Sequence, residues 1–234
     1  MLKNEKVEII LSKTNYNFED LCLILEILRG EGGCPWDKEQ THESIRKNFI
    51  EETYEVIEAI DNKDTDLLRE ELGDVLLQVV FHAQMEKELG TFDIQNVAND
   101  VCNKLVHRHP HIFADVNANT ANEVLNNWEA IKNVEKSRDT LYDKLNSIPS
   151  MTPALMRASK VSKKSGEFKN IGKAELIANI QDVLASFSND PESICSEDIS
   201  EALFLISALS SKCEIDAEEA LFRKTNSFIE KYKT

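Results

Sequence analysis

Apolar residues recur along most of this chain at the three-to-four-residue spacing of one helix face, and no strand run is visible. Phe18–Arg29 is amphipathic and stops at Gly30, and a loop is predicted over 31–37. Thr41 is placed to cap the next helix, which runs to about Ile60. Asp64 or Thr65 caps a third helix, ending at Gly90, and Thr91 or Asp93 caps a fourth, which must end before Pro110. Thr120 with Glu123 forms a capping-box pattern for a fifth, through Trp128 to about Lys136. Residues 136–172 are polar, carry Pro149 and Pro153, and read as a linker with a short helix. Helical patterns over 173–187 and 196–213 follow, and Asp216 caps a last helix. The pattern predicts an all-α fold.

The stretch 72–85 differs from its neighbours. Leu72, Val75, Leu76, Leu77, Val79, Val80, Phe81, Ala83 and Met85 make it apolar almost all round, and a helix of that kind is buried. The polar exceptions Glu71, Asp74, Gln78 and His82 fall within an arc of roughly 80°. A bare buried carboxylate is too costly, so Glu71 and Asp74 are expected to be paired or bound to a cation. Gly73, in mid-helix, costs about 1 kcal/mol relative to alanine. It is expected to leave room for a close helix or ligand beside Asp74.

The preceding helix carries the acidic block Glu51, Glu52 and Glu55, with Glu51, Glu55 and Glu58 opposite an apolar face of Phe49, Ile50, Val56, Ile57 and Ile60. Alone, such a run is ordinarily a solvated face. Its pairing with Glu70, Glu71 and Asp74 changes the reading, because two antiparallel helices point four or five carboxylates at one spot. That spot repels itself unless a hard divalent cation sits in it, and oxygen-only ligation suits Mg²⁺ or Mn²⁺.

Composition narrows the partners. A formal net charge of -15 over 234 residues argues against nucleic-acid polymers and anionic membranes. It does not argue against a single nucleotide delivered with its own Mg²⁺. Residues 1–6 show no apolar core of a secretory signal, and no apolar run is long enough to span a bilayer. Five scattered cysteines without a CxxC read as reduced thiols, so a cytoplasmic location is expected.

Other chemistries fit less well. His107, His109 and His111 around Pro110 read as a helix end rather than a metal cluster. His82 is expected as a hydrogen-bonded neighbour of the acids and not a ligand. No Walker A loop is present, which excludes a P-loop NTPase. A di-iron bundle needs Glu-x-x-His on two helices, and here only Glu39-x-x-His42 occurs, outside the acidic helices. Trp36 and Trp128 are, by residue type, expected in core or interface packing.

The end of the chain looks like a worn copy of its first half. Glu175-Leu176-Ile177-Ala178-Asn179 stands where Glu51-Glu52-Thr53-Tyr54-Glu55 stands, and Glu197-Asp198-Ile199-Ser200-Glu201 where Glu70-Glu71-Leu72-Gly73-Asp74 stands. Repetition of a supersecondary unit is a clue to the fold.

With Cys34-Pro35-Trp36-Asp37-Lys38-Glu39-Gln40-Thr41, the blocks 51–60 and 70–84, and Arg108-His109-Pro110-His111-Ile112-Phe113, the chain resembles the MazG family of all-α nucleoside triphosphate pyrophosphohydrolases along essentially its whole length. The resemblance implies tandem helical-hairpin domains that form four-helix bundles and dimerise. Residues 1–135 would carry the acidic site, 136–172 the linker, and 173–234 a degenerate second domain. It implies Mg²⁺ on Glu52, Glu55, Glu71 and Asp74, with Glu51 and Glu70 close by, and Glu51 or Glu52 as the base for an attacking water. Lys104 and Arg108 match the family's phosphate-holding residues, and Trp128 and Lys132 a recurring aromatic-basic pair. The implied reaction is hydrolysis of (deoxy)nucleoside triphosphates to monophosphate and pyrophosphate, for house-cleaning or nucleotide-pool control. One departure stands out: Leu176 and Asn179 replace two acids, and Asp198 and Glu201 invert the ExxD order. The competing class is a nucleotide-sensing or partner-binding bundle that has lost turnover.

Overall fold

The computed structural model describes residues 3–136, 139–189, 192 and 194–233. Met1 and Leu2 at the start of the chain, and Ser137 and Arg138 in the expected linker, lie outside the described residues. The described chain is helical and contains no strand: α1 (Lys3–Leu11), α2 (Phe18–Arg29), α3 (Pro35–Glu39), α4 (His42–Asn62), α5 (Thr65–Leu89), α6 (Ile94–Arg108), α7 (Pro110–Phe113), α8 (Ala121–Glu135), α9 (Leu141–Asn146), α10 (Ala154–Ser165), α11 (Lys173–Asn189), α12 (Ser196–Lys212) and α13 (Ala217–Glu230). It forms two compact units, Met1–Asn117 and Ala118–Thr234.

Side-chain caps start the helices where the sequence places them. Thr41 Oγ1 accepts the Ser44 N–H at 3.2 Å and Ser44 Oγ accepts the Thr41 N–H at 2.9 Å, closing a reciprocal cap on α4. Asp64 caps α5 through the Asp66 and Leu67 N–H groups, and Asp93 caps α6. The turn from α4 to α5 is short. Lys63 takes the left-handed conformation (φ 55°), its N–H bonds the Ile60 carbonyl at 3.1 Å, and the Asp64 N–H reaches back to Ala59 at 3.0 Å. This closure usually uses glycine, and it costs lysine about 1 kcal/mol.

Two stretches are more ordered than their composition suggests. Within the expected loop over 31–37, Pro35 opens the one-turn helix α3, its fixed φ matching a first helical position. A side chain at Gly33 would run into the Leu28 carbonyl, which already accepts the Cys34 N–H at 2.7 Å. Arg29 ties this segment down: it donates to the Asp37 and Gln40 carbonyls, forms a two-pronged pair with Glu88, and lies 5.3 Å over the Phe81 ring. The expected linker holds two helices, α9 and the twelve-residue α10. An amphipathic face, not a low-complexity run, explains α10.

In the first unit α5 is central and packs against α2, α4 and α6. Its core is Leu25, Ile45, Val80, Phe81 and Met85. In the second unit α12 is central and packs against α10, α11 and α13, with Leu176, Leu205 and Ala208 buried beneath Phe168, Ile171, Ile180 and Val183. All five cysteines are free thiols. Among the described residues no helix is long and apolar enough to cross a membrane.

Candidate metal centre

The antiparallel pair α4–α5 brings the two acidic blocks together. Glu52, Glu55 and Glu71 each offer a carboxylate oxygen, and the three oxygens lie within 4.8 Å of one another. Glu55 is the exposed member, Glu52 is half-buried, and Glu71 is only 8% exposed. Three oxygens at this spacing could hold a metal ion, and an all-oxygen set is the kind that suits a hard divalent cation.

The electrostatics point the same way. Burial, then the charge of Asp74, then a shared hydrogen bond with Glu55 push the Glu52 carboxyl above the usual carboxylate range. Glu71 is pushed up by burial, then by the charge and hydrogen bond of Glu55, then by Asp74. Glu51 and Glu70 add weaker repulsion from their flanks. Asp74 stands beside the three converging oxygens and acts on both Glu52 and Glu71 through its charge.

The buried helix expected over 72–85 is buried along only part of its length. Val80, Phe81, Ala83 and Met85 are in the core, whereas Leu72 is 51% and Leu76 40% exposed and Asp74 is half-buried. Gly73 leaves room beside Asp74, as expected: a Cβ there would meet nothing within 4 Å, so no helix of this unit closes on it. The cause lies across the hairpin, where Ile50, Ile57 and Ile60 of α4 and Leu72 and Leu76 of α5 form apolar surface that the first unit leaves uncovered.

The expected phosphate contacts divide. Lys104 is exposed on α6, while Arg108, one turn on, is 7% exposed and engaged within the fold. Trp128 and Lys132 are half-buried on α8, in the second unit, and both are engaged. Trp36, expected in packing, is 59% exposed on α3.

His82 does not partner the acids. Its Nδ1 lies 2.6 Å from His42 Nδ1, and His42 Nε2–H donates to Glu86 Oε1 at 2.8 Å. The two ring planes differ by 2°, and so short a nitrogen contact sets them edge to edge. His42 and Glu86 were not expected as part of the site's framework; Gln78, expected on the polar stripe, is buried, and its Oε1 has no hydrogen-bond partner among the described residues. The four-residue spacing of Gln78, His82 and Glu86 on α5 is the signal that joins them.

Comparison with known proteins identifies the family. The MazG nucleotide pyrophosphohydrolase domain matches residues 40–113, the span holding both acidic blocks and Lys104 and Arg108. The chain is 39% identical over 220 residues to the nucleoside triphosphate pyrophosphohydrolase/pyrophosphatase MazG of Thermotoga maritima, covering 92% of this chain and 84% of that protein. It is 50% identical over 145 residues to the nucleoside triphosphate pyrophosphohydrolase of Escherichia coli K12, covering 62% of this chain and 55% of the relative. It is 49% identical over 150 residues to YabN of Bacillus subtilis, covering 63% of this chain and 30% of that longer protein. The chain thus spans about half or less of the length of the latter two.

Proposed function

The chain belongs to the MazG family, and from that premise we propose that it hydrolyses nucleoside triphosphates, including deoxynucleoside triphosphates, at the α–β phosphoanhydride, giving a monophosphate and pyrophosphate. The observation that carries this reading is the convergence of Glu52, Glu55 and Glu71 within 4.8 Å. In all-oxygen surroundings, with two of the three carboxyls pushed above their usual range, the cluster is fitted to a divalent cation and costly without one.

Glu52, Glu55 and Glu71, with Asp74 beside them, would hold Mg²⁺, and Mn²⁺ fits the same donors. The ion, when bound, supplies neutralisation of phosphate charge and Lewis-acid polarisation of the substrate. The protein's own groups do the rest. Glu51 or Glu52, on the same turn, would take the proton of an attacking water. As the water oxygen bonds to the α-phosphorus, the bond to the bridging oxygen breaks and pyrophosphate leaves with the electron pair. Exposed Lys104 is free to meet the leaving phosphates. Arg108, already engaged, would stiffen this end of α6; for Trp128 and Lys132 a role in substrate binding rests on the resemblance alone.

The uncovered faces of α4 and α5 fit a second copy of the chain, closing a four-helix bundle over the site. The acidic surface favours nucleotides over nucleic-acid polymers and anionic membranes, and the free thiols fit a cytoplasmic setting. The second unit would be a degenerate copy with a structural role. The test is incubation with each common NTP and dNTP plus Mg²⁺, with product identification. Monophosphate plus pyrophosphate supports the reading. Diphosphate plus orthophosphate overturns it, and absence of turnover with retained nucleotide binding would mark a sensing protein.

A further inference from the structure

The carboxylate cluster pushes α4 and α5 apart, so something must hold them in register. At the other end of the hairpin stands the chain His82–His42–Glu86. His42 is the first residue of α4, and His82 and Glu86 lie in the second half of α5. One hydrogen bond joins the imidazoles and another ties His42 to Glu86. The Thr91 hydroxyl donates to the same Glu86 carboxylate and helps fix it.

Resting on the function proposed above, we propose that His42 and His82 are positioning residues. Their shared hydrogen bond latches the start of α4 to α5 and keeps Glu52 and Glu55 opposite Glu71 and Asp74, and the latch opens when the pair takes a second proton. The proton count follows from the atoms. With His42 Nε2–H given to Glu86, neutral His42 offers the lone pair of Nδ1, and His82 donates its Nδ1–H across the gap. A first added proton goes to the outer nitrogen of His82, and one bridging proton still joins the rings. A second would place N–H groups face to face at 2.6 Å, and the contact breaks. His42 lies ten residues before Glu52, about 15 Å along the helix, so tilting the first turn of α4 moves its carboxylates.

Among the surrounding charges Glu86 is the one hydrogen-bonded to the pair. On α4 the neighbours are Glu43 and Arg46; the charge of His42 acts on exposed Glu43 ahead of that of Arg46, so Glu43 also faces the pair, without a hydrogen bond to it. On α5, Lys87 pairs with Glu26 and Glu88 with Arg29. From α2 come Glu19, Asp20, Glu26 and Arg29. Asp20 is bound by Lys13, and Glu26 also by Lys6. From α6, Asp93 is spent on its own helix cap. Burial and the neighbouring His42 hold His82 below its usual range, in keeping with a pair that resists its second proton.

The experiment uses the full chain with ¹⁵N-labelled histidine. Ring-nitrogen NMR should show the pair titrating in two steps separated by more than about one pH unit, and His42→Gln should return His82 to a single ordinary step. In parallel, kcat/KM for an NTP with saturating Mg²⁺ is followed against pH. His82→Gln should lose about tenfold at about pH 8, the cost of slightly misplaced groups, and its acid limb should be shallower than that of the wild type. Single ordinary steps for both histidines in the unaltered chain would overturn the latch, whether or not any variant folds. So would a variant pH profile that overlays the wild type. Absence of NTP turnover in the wild type would overturn the proposed reaction instead, and the NMR titration would still decide the histidine pair.

Discussion

The hairpins α4–α5 and α11–α12 share an order of helices and differ at the positions that matter. Where Glu52 stands in the first, the second has Leu176, with no exposed surface, at the centre of its unit's core. Where Glu71 stands in the second turn of α5, Asp198 stands in the first turn of α12, because α12 begins only at Ser196. Asp198 therefore caps its helix. It accepts the Cys195 N–H at 3.0 Å, and that bond, followed by one from the Cys195 side chain, holds its carboxyl below the usual range. One hairpin uses its acids against each other across a gap. The other uses one acid for a helix end and fills the gap with leucine. If the second hairpin is the worn copy that the sequence suggests, a displaced helix start would remove a site as effectively as a substitution does.

The sharpest way to break this contrast is to put the missing acid back. Leu176→Glu should cost about 5 kcal/mol or more, since it removes a buried leucine and buries an unpaired charge. Loss of cooperative melting of the second unit in calorimetry checks it. A variant that melts normally would mean Leu176 is not the core residue described here.

Next in size is the first hairpin's own chemistry. Glu55→Gln, Glu71→Gln and Asp74→Ala should each lose at least about 100-fold in kcat/KM under saturating Mg²⁺. Near-normal turnover in Asp74→Ala would remove that residue from the ligand set and leave the three converging glutamates to stand alone.

Lys104→Met should weaken triphosphate binding by about 1–3 kcal/mol and monophosphate binding much less. Equal weakening of both, measured by titration calorimetry, would place Lys104 away from the β- and γ-phosphates.

A pH test separates the hairpins thermodynamically. The raised carboxyls of Glu52 and Glu71 mean that the metal-free fold binds more protons than the unfolded chain, so stability falls as pH rises through their range. Mg²⁺ should offset this by about 2–3 kcal/mol at a hundredfold excess over Kd. The gain should be full above that range and fade as pH falls through it. Melting curves with and without Mg²⁺ across pH check this, and a gain independent of pH would contradict it. Asp198, lowered by its cap, has the opposite sign: its contribution is present above the ordinary carboxyl range and lost as pH falls through its own depressed one.

The smallest expected effect completes the comparison. Glu201→Gln should leave turnover within about threefold, because an exposed carboxylate rarely matters more. If it proves more damaging than Glu55→Gln in the same assay, the active hairpin has been misassigned.

Sequence pattern carried much of this, where local chemistry decides the outcome. Thr41, Asp64 and Asp93 cap α4, α5 and α6 as their side chains dictate. The convergence of Glu52, Glu55 and Glu71 follows from helical spacing. What escaped was set by tertiary partners. Leu72 and Leu76 are apolar yet exposed, because hydrophobicity states a need for burial and not which surface supplies it. Arg108 looks like Lys104 in sequence and is buried. His82 shares a helix face with the acids but turns to His42, a residue forty positions away. α3 rests on Arg29 and on Gly33, which lie outside it and so add nothing to its own helical pattern.

The left-handed Lys63 has a consequence for how this protein can change over time. It has no part in the chemistry, yet the two-residue turn it closes sets how α5 is rotated against α4. One inserted residue would swing the following helix by about 100° and carry Glu71 and Asp74 off the face that meets Glu52 and Glu55. Position 63 should accept asparagine or glycine readily, since either takes the conformation with less strain. The turn is therefore free to drift in identity and fixed in length, and a lineage that alters its length would have to rebuild the carboxylate cluster elsewhere.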